Sequence, residues 1–454
     1  MMLTRLLFSL ALLFTAVRMT AFPLTANGID TTRTAVWIYD LRWDYDVVSA
    51  NIDRSLTPAS VMKIVTCASL LNLADSNERF ATRVTTRGSV SDTTLNGDVI
   101  VHAIGDPTIE SRHFPEAQGF ADSIAVKLAR KGIRCITGDV IIDESMFADA
   151  TTPSGWMAED IPWYYGARLQ GANFRDNRFS LTLPSRKTVP EVPDLKFQFV
   201  NTKRRGVKVD RKDGSETMIV NGNTRRGFTN TFSMPYPRKA MRAEIINVLR
   251  DYGITVRQGT PSKSASETDI YIHQSPRFGD IMESLMFRSD NLMAEGMLRA
   301  ISPGGTRARA IAEEHAVWAG AGISAHGVNI ADGSGLSRDN RLTARFLGDI
   351  CRHMLHDEFG SEFISLFPIS GMHGTMRHFL AGTPLEGRVA MKTGSMKGVQ
   401  SYCGYLLDEE GRPTHLLVFI ANGFKCSRIA LKNDIQRLLL ELFDVSLQTN
   451  NEVE

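Results

Sequence analysis

Three short segments of the chain hold residues whose types and spacing can support chemistry. They are Ser60-Val61-Met62-Lys63, Ser289-Asp290-Asn291 and Lys392-Thr393-Gly394, in that order. Each pattern is weak alone, because a serine followed three residues later by a lysine arises by chance about once or twice in a chain of this length. The ordered set of three is far more specific, and it points to acyl transfer through a serine.

The first motif pairs a nucleophile with a base. A serine hydroxyl is a poor nucleophile until a neighbouring group accepts its proton. Ser60 and Lys63 are three residues apart, so a helix would place both on one face. Lysine can serve as the base only when its pKa is lowered, by burial or by a second cation. Lys392 is the candidate for that second cation.

The other two motifs carry groups suited to a substrate. Ser289 can relay a proton towards a leaving amine, and Asn291 can hold both Lys63 and a substrate amide. Lys392 and Thr393 can bind a carboxylate, by charge and by hydroxyl donation respectively. We predict the catalytic residues Ser60, Lys63, Ser289, Asn291 and Lys392, and the substrate-binding residues Thr393, Gly394, Ser395 and Asp290, with no metal or organic cofactor.

The nucleophile is expected near the start of a helix. Thr57 is a suitable N-cap and Pro58 suits the first helical position. The apolar residues that follow recur at helical spacing: Val61, Ile64, Val65, Ala68 and Leu71. The N–H of Ser60 would then lack an intrahelical partner and could stabilise an oxyanion, with the N–H of Ser395 as a second donor.

Around the motifs, the pattern predicts antiparallel strands and helices. Residues 34–39 and 46–50 have the pattern of a hairpin, 388–393, 401–407 and 415–421 alternate like strands, and 281–301 and 427–443 have helical spacing. Residues 95–145 resemble a β-α-β crossover, and about 178–232 read as mostly β. A long insertion therefore separates the first motif from the second.

The composition is that of a globular protein of more than one domain. The chain has 454 residues, and its 52 Lys and Arg nearly balance its 50 Asp and Glu, so no global charge favours nucleic acid. Arg5, the apolar run 6–17 and small residues near Ala21 and Ala26 predict a secretory signal, with a retained membrane anchor as the alternative. The protein is therefore expected to be periplasmic or otherwise extracytoplasmic.

Two further groups of residues leave alternatives open. The five scattered cysteines include no metal or redox pattern, and buried thiols are favoured over a disulfide such as Cys351 with Cys426. A basic cluster is either a solvated hairpin face or a contact for an anionic wall polymer or membrane surface. It comprises Lys203, Arg204, Arg205, Lys208, Arg211, Lys212, Arg225 and Arg226.

The chain resembles the class C low-molecular-mass penicillin-binding proteins, a family of D-alanyl-D-alanine carboxypeptidases and endopeptidases. Beyond the three motifs, the resemblance rests on Gly105-Asp106-Pro107, Gly138-Asp139-Val140, Tyr165-Gly166-Ala167, Ala294-Glu295, Asp332-Gly333-Ser334-Gly335-Leu336-Ser337 and Gly371-Met372-His373-Gly374-Thr375. It spans about residues 30–440. The Asp332 loop is favoured as a structural rather than a catalytic segment.

The resemblance implies an α+β fold, with a β-lactamase/transpeptidase-like domain in which helices flank an antiparallel sheet. Two smaller domains would be inserted between the first and second motifs. The expected division is a signal peptide 1–26, a catalytic domain 27–80 and 276–454, a mostly-β domain 81–94 and 146–275, and a β-α-β domain 95–145.

The same resemblance implies a serine DD-peptidase that acts on peptidoglycan peptides and is inhibited by β-lactam antibiotics. Two other functions remain open. A serine β-lactamase shares the three motifs but must deacylate fast, and no Glu-x-x-Leu-Asn segment is recognisable between the first two motifs. A wall-binding protein without activity would be expected to have lost a catalytic residue, and none is lost.

Overall fold

The computed structural model describes residues 22–203, 206–225, 227–260 and 266–443. Its helices are α1 (Met62–Leu73), α2 (Phe120–Arg130), α3 (Pro237–Asp251), α4 (Phe278–Arg288), α5 (Asn291–Ala300), α6 (Arg307–Gly320), α7 (Ala344–Met354), α8 (Gly360–Ser365) and α9 (Arg428–Phe443). Its strands are β1 (Thr34–Asp40), β2 (Tyr45–Ala50), β3 (Ala81–Ser91), β4 (Thr94–His102), β5 (Cys135–Ile136), β6 (Val140–Asp143), β7 (Arg178–Leu183), β8 (Lys187–Val189), β9 (Lys196–Asn201), β10 (Val207–Asp210), β11 (Thr217–Gly222), β12 (Phe228–Ser233), β13 (Thr255–Val256), β14 (Glu267–Gln274), β15 (Val389–Met396), β16 (Val399–Leu407) and β17 (Pro413–Asn422).

The two ends of the chain form one antiparallel sheet in the order β15-β16-β17-β1-β2. Successive side chains of a strand point to opposite faces, and β1 shows the consequence. Trp37 packs into a core with the helices α1 and α4 to α7, whereas Val36 and Ile38 pack into a second core with α9. Both faces of the sheet are therefore covered, and every residue of β1 is buried.

The insertion is built on a second sheet that brings together β3, β4, β5, β6, β13 and β14. Strand β4 pairs in parallel with β5 and β6, as the β-α-β pattern of residues 95–145 predicts. Two three-stranded sheets, β12-β7-β8 and β10-β11-β9, complete the insertion. Residues of all three sheets and of α2 and α3 share one hydrophobic core.

The strand pairing links the two predicted parts of the insertion. Strand β3, in the segment 81–94 that was predicted to belong to the mostly-β domain, pairs with β4 on one edge and with β14 on the other. The predicted division of the insertion stays a prediction. The limits of the catalytic domain, 27–80 and 276–454, stay a prediction.

The cysteines and the chain start complete the description. All five cysteines are free, and Cys351 faces Cys403 across 3.7 Å rather than the predicted candidate Cys426. Arg5, the run 6–17 and Ala21 lie outside the described residues. Within the described ranges, no helix has both the length and the apolar character needed to cross a membrane.

Candidate active site

Ser60 lies in a 3₁₀ turn, Ala59–Val61, which leads directly into α1. The predicted cap at Thr57 is wrong, because Pro58 precedes the turn and no side chain caps it. The backbone of Thr57 is held instead by the carboxamide of Asn422, which accepts its N–H at 2.9 Å and donates to its carbonyl at 3.0 Å. The Ser60 side chain stays half-buried, while α1 is buried along most of its length.

Lys63 connects the first motif to the second. Its Nζ lies 3.3 Å from Ser60 Oγ and 2.7 Å from Asn291 Oδ1. It also donates to the carbonyl oxygen of Ser334 at 2.5 Å. The Asn291 amide in turn donates to the Tyr165 carbonyl at 2.8 Å. The lysine is therefore fully buried beside the serine it would deprotonate, with its orientation fixed by three oxygen atoms.

Lys392 connects the third motif to the second. It is buried on β15, and its Nζ donates to Ser289 Oγ at 3.0 Å and to the Thr393 carbonyl at 2.7 Å. The predicted continuous helix 281–301 is in fact two helices, because Ser289 ends α4 in the left-handed region at φ 58°. That break lies where Ser289 contacts Lys392 and Asn291 contacts Lys63.

Burial dominates the electrostatics of both lysines. It lowers the pKa of Lys63 to about 8, against the carboxylates of Asp332, Asp290 and Glu295, which favour the charged form. Burial also lowers the pKa of Lys392 well below its usual range, and the nearby charge of Lys63 lowers it further. The predicted need for a lowered lysine pKa is met chiefly by desolvation.

The rate of Ser60 acylation is expected to rise with pH through a midpoint near 8, because only the neutral Lys63 amine can accept the serine proton. The measurement is the second-order rate constant for labelling by fluorescent penicillin between pH 5.5 and 9.5. A profile that is flat across this range would contradict the assignment of Lys63 as the base.

Asp290 is held by partners within the protein. Its carboxylate is buried, pairs with Arg178 of β7, and accepts the N–H of Met293 at 3.1 Å at the start of α5. Burial opposes ionisation, but Arg178 more than compensates, so the pKa of Asp290 is lowered overall. Both oxygens are thus occupied within the protein, where they help to orient the second motif, and the role of Asp290 in binding substrate stays a prediction.

The third motif passes very close to the nucleophile. A Cβ on Gly394 would lie 2.3 Å from Ser401 Oγ, 2.8 Å from the Pro58 carbonyl and 2.9 Å from the Ser60 nitrogen. Only glycine allows β15 this approach. Thr393 is half-buried, and Ser395 is exposed with its hydroxyl 3.3 Å from Arg428 Nη1. The roles of Thr393 and Ser395 in binding substrate stay predictions.

Replacing Gly394 with alanine is expected to reduce the acylation rate about 100-fold, because the new methyl group must push β15 away from Ser60 and a 1 Å displacement has an effect of that size. Penicillin labelling rates measure the loss. Gly320→Ala is the matched control, since a methyl group at that position would meet nothing within 4 Å. Equal rates for both variants would contradict the role of this close approach.

Sequence reasoning missed two residues of the insertion that reach the site. Arg178 pairs with Asp290, and Trp156 donates from Nε1 to Asp332 Oδ2 at 2.7 Å. The Asp332 loop is structural, as predicted, but its Ser334 carbonyl also holds Lys63. The only sequence signals were the Tyr165-Gly166-Ala167 segment near Arg178 and the glycine-rich Asp332 loop.

The basic cluster is smaller than predicted. Arg211 is buried, and it donates to Ser233 Oγ at 2.6 Å inside the insertion. Burial lowers its pKa to about 10. Arg204, Arg205 and Arg226 lie outside the described residues. Contact of the remaining lysines and Arg225 with an anionic surface stays a prediction.

Comparison with known proteins shows which family the chain belongs to. The model of the D-Ala-D-Ala carboxypeptidase 3 (S13) family matches residues 23–441. The chain belongs to this family. Membership makes it a serine-type D-Ala-D-Ala carboxypeptidase, and the predicted family and enzyme class are confirmed.

Individual relatives of this S13 carboxypeptidase are distant but cover most of the chain. It is 26% identical over 418 residues to D-alanyl-D-alanine carboxypeptidase DacB of Haemophilus influenzae, covering 85% of this chain and 84% of the relative. It is 25% identical over 420 residues to D-alanyl-D-alanine carboxypeptidase of Actinomadura sp. (strain R39), covering 83% and 76% respectively.

Solved structures agree with the fold of this S13 carboxypeptidase. The crystal structure of penicillin binding protein 4 (dacB) from Haemophilus influenzae superposes with a TM-score of 0.79 at 23% identity, covering 93% of this chain and 98% of that chain. A complex of the same protein with a novel β-lactam gives a TM-score of 0.73 at 21% identity, with the same coverage. The predicted α+β transpeptidase-like fold with inserted domains is confirmed.

Proposed function

We propose that this serine DD-peptidase cleaves peptidoglycan stem peptides through an acyl-enzyme on Ser60. The observation that carries the proposal is the position of the buried Lys63 amine, 3.3 Å from Ser60 Oγ and fixed by Asn291. A neutral amine at that distance can accept the hydroxyl proton as the serine attacks. No other described lysine has its Nζ within hydrogen-bonding distance of Ser60 Oγ.

The acylation step divides among the three motifs. Ser60 Oγ attacks the carbonyl carbon of the penultimate D-alanine, and Lys63 accepts the proton. We assign the N–H groups of Ser60 and Ser395 as donors to the oxyanion, where each donor supplies about 3 kcal/mol. When the tetrahedral intermediate collapses, Ser289 gives its hydroxyl proton to the departing amine and takes a proton from the Lys392 ammonium, which donates to Ser289 Oγ at 3.0 Å.

Substrate binding is assigned to the edge strand β15. The positive charge near Lys392 and the hydroxyl of Thr393 suit the carboxylate of a terminal D-alanine. Water then hydrolyses the ester and regenerates Ser60. The leaving amine is a free D-alanine in carboxypeptidase action or a cross-linking amine in endopeptidase action, and both fit this chemistry. Such a substrate lies outside the cytoplasm, in agreement with the predicted signal at residues 1–26.

The test is to incubate the protein with benzylpenicillin, digest it, and locate the adduct by mass spectrometry of the peptides. The adduct is expected on the peptide that contains Ser60, and D-alanine is expected from a stem peptide ending in D-Ala-D-Ala. An adduct elsewhere, or none, would refute the proposed nucleophile. Rapid turnover of penicillin without D-alanine release would favour the β-lactamase alternative, and binding to purified cell wall with neither reaction would favour a non-catalytic wall-binding protein.

A further inference from the structure

The loop from Asp332 to Ser337 contacts Lys63 through a backbone carbonyl. The Ser334 carbonyl is the backbone acceptor that Lys63 Nζ contacts, at 2.5 Å. The carbonyl of Ser334 and the N–H of Gly335 belong to one peptide group. That N–H donates to Asp332 Oδ1 at 2.8 Å. A single peptide group therefore joins the Asp332 carboxylate to the Lys63 amine.

Such a chain of hydrogen bonds is cooperative. When a carboxylate accepts a hydrogen bond from the N–H of a peptide group, it polarises that peptide group. The carbonyl of the same peptide group then becomes a stronger hydrogen-bond acceptor. A stronger acceptor favours the protonated form of the amine that donates to it. The geometry of this link is enforced by Gly335, whose φ is +79° and where a Cβ would lie 2.0 Å from the Ala59 carbonyl. The loop and the nucleophile turn are thus in direct contact.

We propose that Asp332 is a positioning residue that sets the proton affinity of Lys63 through the Ser334–Gly335 peptide group, and thereby the pH range in which Ser60 reacts. This inference rests on the proposed roles of Ser60 and Lys63. It assigns to the Asp332 loop, beyond its structural role, a specific contribution to the reaction.

The carboxylate of Asp332 is surrounded by hydrogen-bond donors. The side chain is fully buried and accepts hydrogen bonds from five groups, so both of its oxygens are held within the protein. They are the N–H groups of Gly335 and Ser337, the Asn340 amide, the Ser334 hydroxyl and Trp156 Nε1. Trp156 lies in the insertion, so the insertion supplies one of the five donors to the Asp332 carboxylate.

Other titratable groups also lie near Lys63, but none of those named here contacts the Ser334–Gly335 peptide group that binds it. Asp290 is paired with Arg178. Glu295 accepts the N–H of Ser334 at 3.0 Å, but that N–H belongs to the preceding peptide group, whose Gly333 carbonyl accepts from Thr66 at 2.9 Å. Burial also raises the pKa of Glu295 to about 7. Lys392 and the buried thiol of Cys67 complete the set, and neither contacts the Ser334–Gly335 peptide group.

Glu295→Gln is therefore the matched control for Asp332→Asn. Each variant removes one buried carboxylate from the same cluster, but only Asp332 contacts the peptide group that binds Lys63. The readout is the midpoint of the pH profile for the acylation rate with fluorescent penicillin, together with the limiting rate at high pH. Circular dichroism establishes that each variant is folded.

The Asp332→Asn midpoint is expected to fall by about one pH unit, because Lys63 loses the group that stabilises its charged form. Glu295→Gln is expected to move it by less than half as much. Asp332→Glu retains the charge, so its midpoint stays within about 0.3 pH unit of the wild-type value even when its limiting rate falls. A merely structural role would lower the limiting rate of Asp332→Asn without moving its midpoint.

An unmoved or higher midpoint in folded Asp332→Asn would overturn the inference while leaving the proposed function intact. Wild-type protein that forms no penicillin adduct would instead refute the proposed function. If Asp332→Asn does not fold, the Trp156→Phe variant tests the inference instead. It removes one hydrogen-bond donor from the Asp332 carboxylate and leaves that carboxylate in place. Its midpoint is expected to rise, and a midpoint that falls or stays in place would overturn the inference.

Discussion

Replacing Ser60 with alanine will abolish covalent labelling by fluorescent penicillin and reduce D-alanine release by at least about 10⁴-fold. The side chain is half-buried and sits beside Lys63, so its removal deletes the nucleophile and leaves the lysine without a proton to accept. The alanine side chain fits within the space of the serine, so the variant is expected to fold. Gel fluorescence and a D-alanine assay measure the two losses.

The control for this variant is Ser55→Ala, which removes a hydroxyl from the same segment of the chain. Ser55 is exposed, and its hydroxyl donates only to the Gly327 carbonyl, at 2.6 Å. It should label at the wild-type rate. Equal labelling of Ser60→Ala and the wild type would place the nucleophile elsewhere and remove the basis for the roles of Lys63 and Lys392.

Local sequence patterns predicted the elements that carry the site. The alternation of residues 34–39 and 46–50 predicted the hairpin that the structure forms as β1 and β2, and the three strands near the C-terminal end were likewise confirmed. Ser60 and Lys63 are near neighbours in the chain, so spacing alone brought them together. These predictions succeed because period and turn chemistry are local properties of a sequence.

Contacts between distant segments were beyond that reasoning. The pair of Arg178 and Asp290 joins residues 112 positions apart, and the bond from Trp156 to Asp332 joins residues 176 positions apart. No periodicity encodes such pairings, because they depend on how the insertion packs against the segments that carry the three motifs and the Asp332 loop. The pair of Asp290 and Arg178 illustrates this, since nothing in the sequence indicated that a buried arginine would contact the Asp290 carboxylate.

The same docking explains why the insertion matters to the site. Three of its polar contacts reach the second motif or the Asp332 loop: Arg178 with Asp290, the Tyr165 carbonyl with Asn291, and Trp156 with Asp332. Each contact fixes a residue that touches Lys63 or lies beside one that does. The insertion therefore does more than enlarge the protein, because it helps to hold the second motif and the Asp332 loop in place.

Replacing Lys63 with methionine will reduce the acylation rate by about 10³-fold or more, because the base is lost. Methionine is unbranched and of similar length, so it can occupy the same space.

The Lys63→Met variant will also lose a component of the pH dependence of stability. The folded-state pKa of Lys63 is lowered to about 8 from its usual 10.5, so the folded protein binds this proton less well than the unfolded chain. The wild type accordingly gains unfolding free energy between pH 8 and 10.5, by up to about 3 kcal/mol from this group.

Chemical denaturation at several pH values between 7 and 10 will measure that gain. Lys187→Met removes an exposed lysine and should follow the wild-type curve, whereas Lys63→Met should be flatter across the window. Lys392 contributes in the same direction, but its pKa rises when the charge of Lys63 is removed, so the difference between the curves measures Lys63 together with its effect on Lys392. Rapid acylation by Lys63→Met, with its midpoint still near 8, would assign the base to another group, and Lys392 would be the next candidate. If unfolding free energy rises with pH as steeply in Lys63→Met as in the wild type, folding does not lower the pKa of Lys63. The Lys63 amine would then stay protonated at neutral pH and could not accept the Ser60 proton.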